Sequence, residues 1–178
     1  QDAGADAYNV AVGFDAGTSV TTGIHNTLIG AFAGDNLAGG GNNVAIGNYA
    51  LSTEDTHGRN VAVGYGALTT QDAGADAYSV AVGYLAGTNI TTGINNVLIG
   101  GLAGDNLSTG NYNIAIGKNA LTTEDAHGRN VAIGHNALFY LNAGADAYNI
   151  AIGYEAGVNV TTGVENVLIG GLAGDALT

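Results

Sequence analysis

Residues 43–50 read Asn43-Val44-Ala45-Ile46-Gly47-Asn48-Tyr49-Ala50, and variants of this octet return along the whole chain. The pattern is Asn, an aliphatic or Thr residue, Ala or Leu, Ile or Val, Gly, two variable residues and Ala. Copies begin at Asn9, Asn26, Asn43, Asn60, Ser79, Asn96, Asn113, Asn130, Asn149 and Asn166, at spacings of 17, 17, 17, 19, then 17, 17, 17, 19, then 17. A fixed period this short is the signature of a repeat architecture. A second period of 70 residues is laid over it: TTGIHNTLIG at 21–30 becomes TTGINNVLIG at 91–100 and TTGVENVLIG at 161–170. Likewise EDTHGRNVAVG at 54–64 becomes EDAHGRNVAIG at 124–134. Residues 1–178 therefore read as one repetitive domain with periods 1–70, 71–140 and a partial 141–178.

A helix cannot use this pattern, because Gly recurs too often and no apolar stripe of helical period is sustained. The triplets Val10-Ala11-Val12, Val44-Ala45-Ile46 and Ile150-Ala151-Ile152 suit short strands, with the Gly that follows each at a corner. A second apolar position falls eleven residues after the Asn in most copies (Val20, Leu37, Ile90, Leu107, Leu141, Val160, Leu177), across Gly- and Thr-rich turns. One unit cannot bury its own face, but stacked units can. The expected fold is all-β: a parallel β-solenoid of about ten 17–19-residue coils, each rising ~4.8 Å to give a rod roughly 48 Å long. The recurrent Asn is expected to form a stacked amide ladder along the axis. The middle strand residue is Ala in seven copies and Leu in three (Leu28, Leu98, Leu168). Strands apolar on both faces are covered on both, so this residue is expected to pack against other copies of the chain.

Composition narrows the function. Of 178 residues, 31 are Gly and none is Pro, Cys, Met or Trp, and the formal net charge is -12. With only Arg59, Lys118 and Arg129 as fixed cations, binding to nucleic acid or anionic lipid is not expected. Without Cys there are no disulfides, thiolate metal sites or cysteine nucleophiles. No apolar run reaches the ~20 residues of a membrane helix and no secretory leader opens the sequence, so membrane insertion is not expected. The absence of an initiating Met and the ending inside a third period suggest a section of something longer.

Several clusters invite a chemical reading. Glu54-Asp55-Thr56-His57-Gly58-Arg59 and Glu124-Asp125-Ala126-His127-Gly128-Arg129 hold acids, a His and an Arg. Their duplication within the repeat favours local ion pairs and turns over acid–base catalysis. His25, His57, His127 and His135 lack metal-ligand spacing, no nucleophile arrangement is recognisable, and no cofactor is expected. Asp2, Asp6, Asp72, Asp76 and Asp146 leave a weak Ca²⁺ site as an alternative, without the calcium-roll nonapeptide. Thr21-Thr22, Thr91-Thr92 and Thr161-Thr162 recur once per four coils, too sparsely for an ice-binding array. The 19-residue spacers carry the candidate contact surface: Asp76, Tyr78 and Tyr84, with Asp146, Tyr148 and Tyr154. Tyr with Asp suits a glycan or receptor. The plainer reading, that these rings pad the rod's flank, is the preferred one.

The Asn-Val-Ala-Ile-Gly-x-x-Ala units at 43–50 and 130–137 resemble the head repeats of YadA-like trimeric autotransporter adhesins. The longer units at 91–104 and 161–174 are similar to repeats of phage tail-fibre proteins. This resemblance spans essentially the whole chain. It implies a left-handed parallel β-roll, a homotrimer, and an extracellular fibre or adhesin serving attachment to a host or surface. A cell-surface filament stacking end to end and a polysaccharide-degrading tailspike are the alternatives. The expected role is structural and not enzymatic, with copies of the chain and a surface glycan or receptor as partners.

Overall fold

A computed structural model describes residues 6–54, 56–124 and 126–177; Asp2, Asp55 and Asp125 lie outside them. Ten strands of three residues each follow one another: β1 (Val10–Val12), β2 (Thr27–Ile29), β3 (Val44–Ile46), β4 (Val61–Val63), β5 (Val80–Val82), β6 (Val97–Ile99), β7 (Ile114–Ile116), β8 (Val131–Ile133), β9 (Ile150–Ile152) and β10 (Val167–Ile169). They form a single parallel sheet in chain order. Equivalent residues stand in register, Val44 on Val61 and Ala45 on Ala62. The chain is an all-β parallel β-solenoid, one strand per coil and about nine turns from first strand to last.

The corner after each strand shows why Gly is invariant in the repeat. Gly47 has φ +139°, and a Cβ there would lie 2.3 Å from the carbonyl oxygen of Gly64 on the next coil. Successive corners stack backbone on backbone with no room for a side chain. Elsewhere the turns force non-Gly residues into the left-handed region, such as Tyr49 at φ 58°, Leu51 at 50° and Arg59 at 63°. Each costs about 1–2 kcal/mol, offset by inter-coil hydrogen bonds such as Tyr49 N–H to the Ala31 carbonyl at 3.0 Å.

The interior is narrow, and this reverses the expectation for the middle strand residue. Ala45, Ala62, Ala81 and Leu98 are wholly buried inside the coil, with the Ala that follows each corner, such as Ala50 and Ala67. The outer strand residues point away from the core and are only half covered. The middle residue, Ala or Leu, is a packing element of the lumen.

The 70-residue period has its cause in the same core. Coils with Leu mid-strand, and the Ala-centred coil before each, carry Gly four residues after the corner: a Cβ on Gly104 would lie 2.7 Å from Leu98 Cδ2, and one on Gly87, in the coil of Ala81, 2.7 Å from Leu98 Cδ1. The next two coils reverse this, with Ala115 and Ala132 mid-strand and buried Leu121 and Leu138 in the Gly position. Volume is exchanged between two columns, keeping the core filled.

The recurrent Asn is buried from Asn26 to Asn149, and its bonding differs from the expected amide-to-amide ladder. The Asn96 side-chain oxygen accepts from the backbone N–H of Asn113, one coil on, at 2.9 Å. Its amide donates to the Gly110 carbonyl across the coil at 2.8 Å. The same link from Asn26 to Asn43 spans 3.0 Å. One side chain thus fixes both coil spacing and the return of the spacer. Amide-to-amide contacts occur as additions, at Asn130–Asn113 and Asn166–Asn149.

Candidate interaction surface

Alternation along each strand builds the outer face. In Tyr78-Ser79-Val80-Ala81-Val82-Gly83-Tyr84 the second and fourth residues are buried, while Tyr78 and Tyr84 are 54% and 58% exposed and Val80 and Val82 lie between them half-covered. Stacking ten coils turns this into four columns: two aliphatic ones down the middle and a rim on either side. The middle columns contain Val and Ile at every level, with Thr27 the lone polar substitute. Sequence reasoning sent the wrong face of the strand outward.

The rim before the strands includes Tyr8, His25, Arg59, Tyr78, Arg129 and Tyr148. Each stands at positive φ on the residue preceding the recurrent Asn or Ser. Here the sequence-expected contact residues come together. Asp76 pairs with Arg59 and accepts from the Gly58 N–H at 3.2 Å. Asp146 pairs with Arg129 and accepts from the Gly128 N–H at 3.0 Å. The Arg59 guanidinium lies 5.4 Å from the Tyr78 ring centroid, and that of Arg129 sits 5.5 Å from Tyr112 and 5.6 Å from Tyr148. The two extra residues of the long spacer therefore form a loop clasped to the coil before it, each clasp stabilised by a cation–π contact of about 0.5–1 kcal/mol. The Arg pairs bridge coils, while the local contacts expected within the segment are made by Glu and His, Glu124 lying 3.5 Å from His127 Nδ1.

The acids opening those segments do something else. Glu54 and Glu124 occupy the inward position that is aliphatic in most coils, and both are wholly buried. Glu124 accepts from the His127 N–H at 3.2 Å and from the Ala143 N–H at 3.4 Å, and lies 3.5 Å from His127 Nδ1. Glu54 accepts from the His57 N–H at 3.3 Å. Buried carboxylates here serve the backbone of the wide turn. Sequence reasoning gave them a local turn role but not their burial, although their place eleven residues after the Asn marked the column.

The opposite rim is an aromatic column. Phe32 stacks on Tyr49 at 5.0 Å and Tyr65 on Tyr84 at 5.6 Å, with an edge contact between Tyr49 and Tyr65 at 6.3 Å. Further along, His135 stacks on Tyr154 at 5.5 Å. The Tyr154 phenol is held above its ordinary range by its hydrogen bond to Glu155 and then by that residue's charge. All four candidate tyrosines, Tyr78, Tyr84, Tyr148 and Tyr154, thus make a ring or cation contact within the chain. Asp6 accepts from the Tyr8 hydroxyl at 3.1 Å and Asp72 N–H donates to the Thr91 carbonyl at 2.8 Å. Among the described residues no three acidic or His side chains converge as metal ligands would. Burial raises the carboxyls of Asp35 and Asp105, which lie on another side of the rod, above the usual 3.8.

The architecture defines a β-solenoid repeat protein with a four-column outer face. Comparison with known proteins gives no match to a family model, a curated protein or a solved structure.

Proposed function

We propose that this chain is a structural rod of an extracellular fibre or adhesin, assembled side by side with copies of itself and serving attachment to a host or surface. The observation that carries the reading is the outer face: ten levels of Val and Ile with almost no polar interruption, left half-covered along the whole rod. Large contiguous apolar patches on a folded chain mark interaction sites. The two aliphatic columns run about 43 Å over nine strand intervals. The rims of the face hold Tyr and Arg, the residues enriched at protein interfaces.

The resemblance to adhesin heads and tail-fibre repeats adds the finer features, a left-handed coil and three chains around one axis. The role is mechanical. Identical chains present identical side chains, so weak contacts with a glycan or receptor gain strength through multivalency. Light scattering under native conditions tests the assembly. Three times the 17.5 kDa chain mass is expected, and a single-chain mass would overturn the reading.

A further inference from the structure

Nine and ten residues after the recurrent Asn, each coil places two residues on a flank apart from the strand face. In the first seven coils this pair is short and polar, as in Asp35-Asn36, Thr69-Thr70 and Thr122-Thr123. These side chains complete the inter-coil bonding: Asn36 donates to the Ser52 carbonyl at 2.7 Å, Thr70 to that of Thr88 at 2.8 Å and Thr123 to that of Phe139 at 2.6 Å. In the eighth coil the pair is Phe139-Tyr140, and Val158 follows Phe139 in the ninth. Where 68–72 read LTTQD, 138–142 read LFYLN, the longest run of consecutive changes between 70-residue periods. Nothing in the core requires it, because Leu68 and Leu138 fill the lumen alike.

We propose that Phe139 and Tyr140 form a binding site for a neutral glycan, held by stacking of a sugar ring on an aromatic face; this rests on the attachment role proposed above and gives it a location. The two rings meet edge to face, centroids 4.7 Å apart and planes at 81°, which makes a right-angled notch. Tyr140 is 51% exposed. Coil stacking sets Thr123 before Tyr140 in its column and exposed Asn159 after it, each about 4.8 Å along the rod. The Asn159 amide donates to the Asp175 carbonyl at 2.8 Å, leaving its side-chain oxygen as an acceptor. Exposed Asn142 offers an amide where Asp72 stands one period earlier. An apolar ring face bordered by hydroxyl and amide groups matches a sugar, with its C–H face and hydroxyl rim. A protein partner fits less well, since two aromatic side chains supply at most about 300–500 Å², short of the ~800 Å² per partner of a stable interface. An acidic glycan fits less well too. No Lys or Arg stands in these two columns, and their charged members, Asp35, Asp105 and Asp175, are all acidic.

An F139T/Y140T variant returns the pair to the residues held at 69–70, so the coil is expected to fold as before, checked by circular dichroism. Y140A removes the exposed ring alone. The probe is an array of neutral and acidic oligosaccharides, read for the unmodified chain and both variants at low and high salt. Binding to neutral oligosaccharides is expected, insensitive to salt and weaker by about tenfold or more in each variant. Absence of any neutral ligand overturns the proposal, as does binding that survives in both variants. Binding confined to acidic glycans, or weakened by salt, overturns the neutral assignment. A native mass that falls in F139T/Y140T makes this flank a contact between copies and overturns it as well. A single-chain mass for the unmodified protein with glycan binding intact overturns the assembly proposed above and leaves this site standing.

Discussion

At the residue scale, the buried Asn does the most, because it joins two coils and closes one. Asn96→Ala would orphan the Asn113 N–H and the Gly110 carbonyl, both served by that side chain. A loss of roughly 2–5 kcal/mol is expected at this one position, read from urea denaturation. Ser79 stands in the same column and reaches the Asn96 N–H only at 3.4 Å, so Ser79→Asn should move stability the other way. Asp105 offers a pH test. Its folded-state carboxyl is raised, chiefly by burial. Its stabilising contribution is therefore complete below the ordinary value of 3.8 and is lost as pH rises through the raised one. Asp105→Asn should raise the melting temperature at pH 7, with the gain shrinking as the pH is brought towards 4. An equal gain at both pH values would contradict this account.

At the scale of the coil, the core behaves as a set of matched pieces. Leu98 fills the space left by Gly87 and Gly104, so Leu98→Ala opens a cavity and should cost about 2–5 kcal/mol. Adding Gly104→Leu recreates the arrangement of the following coil, where Leu121 sits at φ 53° beside Ala115. The double variant should recover part of the loss in the same denaturation assay. If it is less stable than Leu98→Ala alone, the two columns do not exchange volume. The strand positions and the corner Gly were legible in the sequence because they repeat at fixed spacing. The direction of each strand's faces was not. Val-Ala-Val and its variants are apolar on both sides, so periodicity alone leaves open which side lines the lumen. The folded coil decides, with Ala or Leu in the lumen and Val and Ile outward.

At the scale of the whole molecule, the rod is a fixed core with an unfinished outer face. Val63→Glu places a charge mid-face, half-covered and clear of the lumen. Circular dichroism should therefore be unchanged while the native mass by sedimentation equilibrium falls to that of one chain. Loss of the β spectrum together with the mass would mean that the coil itself depends on this face. The candidate contact residues were legible as a group, because Asp76, Tyr78, Asp146 and Tyr148 fall in the long spacers that break the 17-residue rhythm. Their use was not. Arg59 and Arg129 reach them from the preceding coil, 17 and 19 residues away in sequence, and no local pattern encodes a contact across a turn of the solenoid.

The abundant Gly and absent Pro now have separate causes. Corner Gly is required by backbone stacking at the turn, and Pro would remove an inter-coil donor. By itself the sequence determined the repeat, the strand in every coil and the parallel stacking. All of these follow from period, and identical neighbours can satisfy one another's backbone bonds only by lying in register. Tertiary structure decided which face of each strand is inside, what the buried acids hold, and which residues share a rim. Those depend on lumen width and on distances between coils, which sequence spacing does not measure.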